Sequence, residues 1–109
     1  MRRDLTLPQQ VVQSCHAAIE VARLSITTEA VHPSVIVCGV KDEQKLLRSY
    51  QRLQALGLKC HAFYEPDFGD ELTAIASEPV SGDDRSHFRQ YQLLNEDHIL
   101  RTQMQGGAA

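Results

Sequence analysis

The stretch LKCHAFYE-PDFGD-ELTAIASEPV, residues 58–80, decides the fold of this chain. Residues 58–65 and 71–80 alternate apolar and polar side chains well enough for two β-strands. The link at residues 66–70 is short and contains Pro and Gly, which favour a tight turn. Two strands joined this closely are expected to pair antiparallel.

The clearest helix precedes this hairpin, in KDEQKLLRSYQRLQALG at residues 41–57. Asp42 is the predicted N-cap, and Gly57 is expected to end the helix in the left-handed conformation. The apolar residues follow the helical period and predict one buried stripe. They are Leu46, Leu47, Tyr50 and Leu53. Before this helix, the apolar segment SVIVCGV (residues 34–40) predicts a strand that is covered on both faces.

A first helix is predicted from Pro8 to Ser25. Thr6 can cap its N-terminus, and Gln9, three residues later, can reach back to the Thr6 backbone. The residues predicted to face the core are Val11, Val12, Cys15, Ala18, Ile19 and Ala22. The preceding RRDL, residues 2–5, indicates the end of a very short strand.

The segment SGDDRSHFRQYQLL, residues 81–94, predicts a last short helix with Phe88 and Tyr91 facing inward. The element order predicts an α/β three-layer sandwich, with helices on both faces of a small mixed four-stranded sheet whose first strand is short or truncated. We expect a single domain over residues 1–102 and a disordered tail over residues 103–109, which ends in QGGAA.

Composition narrows the class of protein. The chain has 109 residues, of which 42% are hydrophobic and 23% charged, with a net charge of −3. No apolar run approaches the ~20 residues that span a bilayer, so no membrane association is expected. Cys15, Cys38 and Cys60 are odd in number and widely spaced, which is typical of small buried residues in a reducing cytoplasm. An anionic partner would need a local basic patch.

A line of polar residues on the first helix is the first candidate site. Gln9, Gln13, His16, Glu20 and Arg23 fall within a sector of about 80° at 100° per residue. His16 is a candidate general base, with Glu20 as a charge partner one turn on. The alternative is a solvated face whose pairs four residues apart support the helix.

A basic stripe on the second helix is the second candidate. Lys41, Lys45, Arg48 and Arg52 are spaced four, three and four residues apart. Four aligned cations can neutralise phosphates along a nucleic-acid backbone, so the stripe predicts phosphate binding. The alternative is again a solvated helix face.

Acidic residues cluster in and after the hairpin link. They are Glu65, Asp67, Asp70, Glu71 and Glu78. The segment lacks the ligand pattern of an EF-hand, and a turn rich in Pro, Asp and Gly needs no function. The chain contains no phosphate-binding glycine loop, no nucleophile-elbow motif and no histidine spacing typical of a metal site. Neither a metal nor another cofactor is expected.

RRDLTLPQQVVQSCHAA (residues 2–18) resembles the opening of the type 2 peptidyl-tRNA hydrolase family, the archaeal and eukaryotic type. Gln13 matches the family glutamine, and His16 with Ala17 matches its His-Ala pair. Residues 53–65 resemble the family Glu-Leu-Gly-Leu followed by a strand, and residues 72–80 resemble the strand that ends in Gly-Pro. The resemblance covers most of residues 2–94 and implies hydrolysis of the ester between a peptide and the tRNA 3′-ribose by a homodimer.

The resemblance also shows departures from the family. The family lysine falls on Gln9, and the family Asp-Ala-Gly-x-Thr loop is shortened to EPDFGDE (residues 65–71), with Glu65 in place of its Asp and no counterpart of its Thr. It therefore implies Glu65 as base, Gln9 and Gln13 as amide donors, and His16 as a positioning or proton-shuttling group.

If the lysine stabilised the transition state, its replacement by Gln lowers turnover by a factor on the order of 10²–10³. Two alternatives stay open. One is a non-catalytic relative that binds tRNA or another phosphate-rich ligand. The other is a scaffold for oligomerisation or for a protein partner.

Overall fold

The computed structural model describes residues 1–24 and 35–94. Its helices are α1 (Leu7–Leu24) and α2 (Glu43–Ala55), and its strands are β1 (Cys38–Gly39), β2 (Cys60–Glu65), β3 (Glu71–Ser77) and β4 (Gln92–Leu93). Two 3₁₀ helices lie at Pro66–Phe68 and Gly82–Phe88. The predicted helix end at Ser25, strand start at Ser34 and disordered tail at residues 103–109 lie outside the described residues. No described helix has the length and apolarity to cross a bilayer.

The predicted hairpin is confirmed. β2 and β3 pair antiparallel, with Cys60 opposite Ser77 at one end and Glu65 opposite Glu71 at the other. The 3₁₀ turn that joins the strands ends at Gly69, whose φ is 67°. A side chain is disfavoured in this left-handed conformation, which explains the glycine in the link.

A β-bulge interrupts the hairpin. Phe63 lies opposite Ala74 and Tyr64 opposite Leu72, so Thr73 has no partner of its own. A bulge redirects the side chains around it. Here the Thr73 hydroxyl donates a hydrogen bond to Gln13 of α1, and the adjacent Ala74 packs with Ala17 of the same helix.

The start of α1 follows the prediction. The Thr6 N–H donates to Gln9 Oε1 (3.0 Å), and the Gln9 N–H donates to Thr6 Oγ1 (3.3 Å). These reciprocal bonds form a capping box, which satisfies backbone donors that have no partner inside the helix.

The predicted buried face of α1 is wrong. Val11, Val12 and Ile19 are 53%, 50% and 61% exposed, and Cys15 and Ala22 are also exposed. The buried residues are instead Gln10, Gln13, Ala17 and Val21. A periodicity rule that counts only apolar residues places glutamine outside the core, so it selected the opposite side of the helix.

Burial of these glutamines is possible because most of their amide atoms find partners; the exception is Gln10 Oε1, which is buried with no hydrogen-bond partner among the described residues. Gln10 Nε2 donates to the carbonyls of Arg3 (3.3 Å) and Leu5 (2.9 Å), which ties the start of the chain to α1. Gln13 bonds two side chains of the hairpin, as described below. A buried amide with hydrogen-bond partners avoids most of the cost of leaving water.

α2 agrees with its sequence signals at both ends. The Lys45 N–H donates to the Asp42 carboxylate (3.0 Å), and Gly57 has a φ of 83°. Leu46 and Leu53 are buried, whereas Leu47 is exposed and Tyr50 is half-buried, so the predicted stripe is narrower than expected. The helix packs against β2 and β3.

The predicted strand at residues 34–40 is wrong in extent and in burial. Only Cys38–Gly39 forms a strand, which pairs antiparallel with β4, and Val35 and Ile36 are exposed. One more backbone hydrogen bond, from the Leu94 N–H to the Val37 carbonyl (2.9 Å), lies next to this ladder. The predicted last helix is a 3₁₀ helix at Gly82–Phe88 followed by β4.

The first residues of the chain are buried. Arg2 forms a single parallel bridge with Val40, and Met1 packs with Ala17 and Ala74 in the core. Arg2 also donates to Asp4 (2.8 and 2.9 Å) and Glu71 (2.8 Å), whose hydrogen bonds raise the pKa of its guanidinium despite burial.

The architecture is therefore mixed α/β, with two antiparallel two-stranded sheets, β1–β4 and β2–β3. The expected single four-stranded sheet is not observed. Residues 1–3 contact both pairs through isolated backbone hydrogen bonds, and no continuous ladder joins them in the described part of the chain.

Candidate functional site

A cleft of about 290 Å³ lies between the first turns of α1 and the end of β2 with its following turn. Its lining residues are Pro8, Gln9, Val12, Gln13, His16, Glu65, Asp67 and Phe68. All four residues that the sequence proposed for chemistry, Gln9, Gln13, His16 and Glu65, line this one cleft. The chain brings them together because Thr73 and Ala74 of the hairpin hold α1 beside β2.

Glu65 is the most buried charged group of the cleft, with 7% of its surface exposed. It ends β2 and caps the 3₁₀ turn, so its Oε1 accepts the Asp67 N–H (3.3 Å). Its Oε2 accepts from Gln13 Nε2 (3.1 Å). N–H donors to both oxygens hold the carboxylate in one orientation, and a carboxylate still has lone pairs for a further donor.

Gln13 connects Glu65 to the core of the hairpin. It is 3% exposed, donates to Glu65, and accepts from Thr73 Oγ1 (2.6 Å). The amide is thus bonded at both ends, which determines its orientation. The sequence suggested that Gln13 could donate to a substrate oxyanion, whereas its contacts fit the positioning of Glu65.

Thr73 is a site residue that sequence reasoning missed. It is 0% exposed, and its hydroxyl lies 2.6 Å from Gln13 Oε1 and 3.4 Å from the Phe63 carbonyl. The one available signal was a lone hydroxyl in the otherwise apolar run LTAIA. Its direction depends on the bulge, which nothing in the sequence specifies.

His16 is held by an aromatic neighbour. Its ring stacks on Phe63 with centroids 4.5 Å apart and an interplanar angle of 7°. Glu20, the expected charge partner of His16, instead pairs with Arg23 at 3.0 Å. The imidazole therefore lines the cleft through stacking, in a geometry that aromatic pairs favour.

Gln9 lines the mouth of the cleft, and one of the two polar atoms of its side-chain amide already has a hydrogen-bond partner. Its Oε1 accepts the Thr6 N–H in the capping box. No described residue accepts from its Nε2, so this nitrogen is the donor that Gln9 can offer to a ligand.

The predicted basic stripe does not line the cleft. Lys45 and Arg48 are exposed on α2, and Lys41 is exposed before the N-cap of that helix. Arg52 is half-buried, and its Nη1 donates to the His87 carbonyl (3.0 Å) and to Tyr91 Oη (3.1 Å). Arg52 thus ties the 3₁₀ helix to α2, and three cations remain as candidates for phosphate contact.

A larger cavity of about 490 Å³ lies at the other end of the hairpin. Its lining includes Leu24, Cys60, His61 and Glu78. Burial, with a smaller contribution from the Glu78 charge, raises the pKa of the Cys60 thiol to about 11. A thiol protonated at neutral pH is a poor nucleophile, so this cavity lacks an activated group of that kind.

Within residues 1–24 and 35–94, no group of three His, Cys, Asp or Glu side chains has the geometry to hold a metal ion. The chain matches no protein-family model, no curated protein and no solved structure. Function is therefore inferred from the cleft itself and from the motif resemblance given above.

Proposed function

We propose that this chain hydrolyses the ester between a peptide and the 3′-ribose of tRNA, in the manner of a peptidyl-tRNA hydrolase acting in the cytoplasm. The observation that carries the proposal is the buried Glu65 carboxylate, bonded at both oxygens within a cleft that Gln9 and His16 also line. A general base requires this kind of fixed orientation and access to a water molecule.

In the proposed reaction, Glu65 takes a proton from water as the oxygen attacks the ester carbonyl. The Gln9 amide nitrogen donates to the tetrahedral oxyanion, and the proton passes to the leaving ribose oxygen, directly or through His16. Gln13 and Thr73 keep the Glu65 carboxylate aimed, so they act as positioning residues.

The same cleft predicts slow turnover. None of its eight lining residues is Lys or Arg, so only neutral donors and imidazole face the developing negative charge. Removing one transition-state donor typically costs on the order of 10²–10³ in rate. A weak hydrolase is therefore the expected form of the activity.

We extend the proposal to the fold: the two strand pairs belong to one mixed sheet in which residues 1–3 form a further short strand. Three backbone hydrogen bonds support the placement of residues 1–3 in this sheet. The Arg2 N–H donates to the Thr73 carbonyl (3.3 Å), the Val40 N–H to Met1 (2.9 Å) and the Arg3 N–H to Val40 (2.7 Å).

The side-chain directions support helices on both faces of that sheet. Residues directly opposite each other share a face, so Phe63 and Ala74 lie on one side and Tyr64 and Leu72 on the other. Ala74 packs with Ala17 of α1, and Leu72 is buried next to α2, whose Glu43 accepts the Leu72 N–H (2.7 Å).

Release of labelled peptide from peptidyl-tRNA tests the activity. We expect slow release by the wild type and a loss of at least about tenfold in Glu65→Gln, which removes the base. Glu20→Gln is the matched control, because it makes the same chemical change on a half-buried residue outside the cleft. Wild-type release at the buffer rate would reject the hydrolase.

A second candidate is a non-catalytic protein that binds tRNA or another phosphate-rich ligand. The observation in its favour is that exposed cations lie on α2, whereas the cleft has none. Binding should weaken with added salt and in a Lys45→Ala/Arg48→Ala variant, because phosphate contacts release counterions. If the affinity for tRNA changes neither with salt nor in the variant, the chain does not bind phosphate through these cations.

We also propose that the chain forms a homodimer. The support is the exposed apolar side of α1, where at least half of the surface of Val11, Val12 and Ile19 is exposed. Contiguous exposed apolar surface on a helix is typical of an interaction site. Light scattering should give twice the chain mass for the wild type and the chain mass for Ile19→Glu; a wild-type monomer would contradict the proposal.

A further inference from the structure

We propose that the outer edge of β2 binds the peptide part of the substrate as an added β-strand, which leaves the cleft at Glu65 and runs toward Cys60. This inference rests on the proposed function, because it says how the same cleft receives a peptidyl ester. The support comes from the hydrogen-bond register of the hairpin, from the side on which the cleft opens, and from the size of the cleft.

The register of the hairpin leaves β2 with backbone groups that β3 does not use. The Glu78 N–H donates to the Lys59 carbonyl (2.9 Å), and the next residues, Cys60 and Ser77, lie opposite each other. Directly opposed residues of an antiparallel ladder alternate between hydrogen-bonded and non-hydrogen-bonded pairs. The backbone N–H and C=O groups of Cys60 and Ala62 therefore point away from β3.

This outer edge of β2 is open and unprotected. Within residues 1–24 and 35–94, no group outside the hairpin bonds the backbone of Cys60 or Ala62. Residues 60–64 include no Pro, Lys, Asp or Glu, which are residues that protect sheet edges, and the extra residue of the bulge belongs to β3. Such an edge is a template for another strand, and some peptide-binding proteins use it in this way.

The cleft opens on the same side of the molecule as this edge. The buried side of α1 bonds the start of the chain through Gln10 and bonds β3 through Gln13. On the next side around the helix, the His16 ring stacks on Phe63 of β2. His16 also lines the cleft, so the cleft lies on the β2 side of α1, away from the start of the chain.

α1 runs alongside β2 in the opposite direction. Gln13, in its first half, bonds Glu65 at the end of β2, whereas Leu24, at its end, lines the 490 Å³ cavity together with Cys60 and His61. The cleft and the cavity therefore lie at the two ends of one strand. A peptide that follows the six residues of β2 from one to the other covers about 20 Å.

The size of the cleft requires a peptide to continue outside it. About 290 Å³ is just below the ~300–1,000 Å³ found for small-molecule sites, so the ester and the residue that carries it fill the cleft. Because the esterified carboxyl end lies at Glu65, the rest of the peptide points toward Cys60 and runs parallel to β2. Main-chain hydrogen bonds supply affinity in strand addition, which suits a substrate whose peptide sequence varies.

Strand pairing predicts an alternating pattern in the peptide. The N–H and C=O groups of a strand residue point to one side, and those of the next residue point to the other. Peptide residues of one parity would therefore bond Cys60 and Ala62, and the residues between them would direct their backbone groups to solvent.

The test uses uncleavable ligands, in which 3′-amino-3′-deoxyadenosine carries an N-acetylated alanine peptide of one, three, five or eight residues on its 3′-nitrogen. Binding to the wild type is measured by calorimetry. We expect the affinity to rise at least about tenfold between the one-residue and five-residue ligands, as the backbone groups of the edge gain partners. Little further gain is expected with eight residues, because β2 has six.

N-methylation of single residues in the five-residue ligand tests the alternating pattern. A methyl group removes one N–H donor, so the affinity should fall at least about fivefold at every second residue and less than about twofold at the residues between. An equal effect at all positions, or none, overturns the strand pairing.

Ala62→Pro tests the edge of the protein. It removes an N–H that lies outside the hairpin ladder, a position at which edge strands tolerate proline. The gain in affinity with peptide length should be lost in this variant. Ala62→Val is the matched control, because it keeps the N–H, and it should retain the gain. Circular dichroism establishes whether both variants are folded; if Ala62→Pro is not, the N-methyl series on the wild type decides.

The outcomes separate this inference from the proposed function. Equal affinity for the one-residue and five-residue ligands overturns the peptide site, while release of peptide from peptidyl-tRNA would still support the hydrolase. A gain with length in a protein that releases no peptide supports the peptide site and rejects the hydrolase. A gain that persists in folded Ala62→Pro overturns the role of the β2 edge, and failure of every ligand to bind overturns the peptide site.

Discussion

Gln13 and Glu65 lie 52 residues apart in the chain, and their side chains meet at 3.1 Å in the interior beside the cleft. The bond joins the inward side of α1 to the end of β2. Thr73 extends it on the other side of the Gln13 amide, so one helix residue connects both strands of the hairpin. Removing this residue should therefore affect stability as well as the cleft.

Gln13→Leu should lower the free energy of unfolding by about 1–3 kcal/mol, because it leaves a buried hydroxyl and a buried carboxylate with fewer partners. Urea unfolding measures the change. A double-mutant cycle with Thr73→Val isolates the pair, and a coupling of about 0.5 kcal/mol or more is expected for residues in one network. A near-zero coupling would show that the 2.6 Å contact contributes nothing.

The stacking of His16 on Phe63 gives a second prediction. A cycle of His16→Ala and Phe63→Leu should show a coupling of about 0.5–1.5 kcal/mol, which is typical of aromatic pairs beyond their buried area. Urea unfolding of the four proteins measures it. Additive effects of the two changes would mean that the rings do not stabilise each other, and the stacked geometry would lose its support.

Arg2 joins the start of the chain to β3. Arg2→Leu should lower the free energy of unfolding by about 2 kcal/mol, since it removes charge-assisted hydrogen bonds of a buried guanidinium to Asp4 and Glu71. Arg23→Leu is the control. Its exposed pair with Glu20 should contribute at most about 1 kcal/mol. If the two variants lose the same free energy of unfolding, the burial of Arg2 does not strengthen its hydrogen bonds.

Cysteine reactivity should follow exposure. Cys15 is exposed, and Cys60 is buried with a thiol pKa raised from 9.0 to about 11. Iodoacetamide at pH 8 should therefore label Cys15 first and Cys60 much more slowly, because the thiolate is the reactive form. Mass spectrometry of the digested protein checks the order, and Cys15→Ala identifies the faster site. Faster labelling at Cys60 would contradict its burial.

The raised pKa of the Cys60 thiol also predicts how the free energy of unfolding changes with pH. The folded state favours the neutral Cys60 thiol, so its contribution is complete below pH 9 and is lost as pH rises from 9 toward 11. Urea unfolding at pH 8 and pH 10.5 should show the gap between wild type and Cys60→Ala shrinking at the higher pH. A constant gap would mean that the thiol does not titrate differently on unfolding.

Local signals predicted the ends of the elements well. The capping box of Thr6 and Gln9, the Asp42 cap and the left-handed Gly57 are all observed, because each depends on neighbours within a few residues. The antiparallel hairpin follows in the same way from a link too short for any other pairing.

The face that α1 buries was decided only by tertiary contacts. A pattern of apolar residues favoured Val11, Cys15 and Ile19, yet the helix buries Gln10 and Gln13. The Gln10 amide nitrogen bonds residues 3 and 5, just before the helix. The Gln13 amide bonds residues 65 and 73, and no local rule can supply partners so distant in the chain.

The sequence by itself determined which residue types were available for a site: an amide, an imidazole and a carboxylate at Gln13, His16 and Glu65. Only the fold brought them to one cleft and added Thr73, through a bulge that turns its hydroxyl toward α1. The physical reason is how far apart in the chain the interacting residues lie. Caps and turns depend on bonds between near neighbours, whereas a site depends on packing between segments that meet only after the chain has folded.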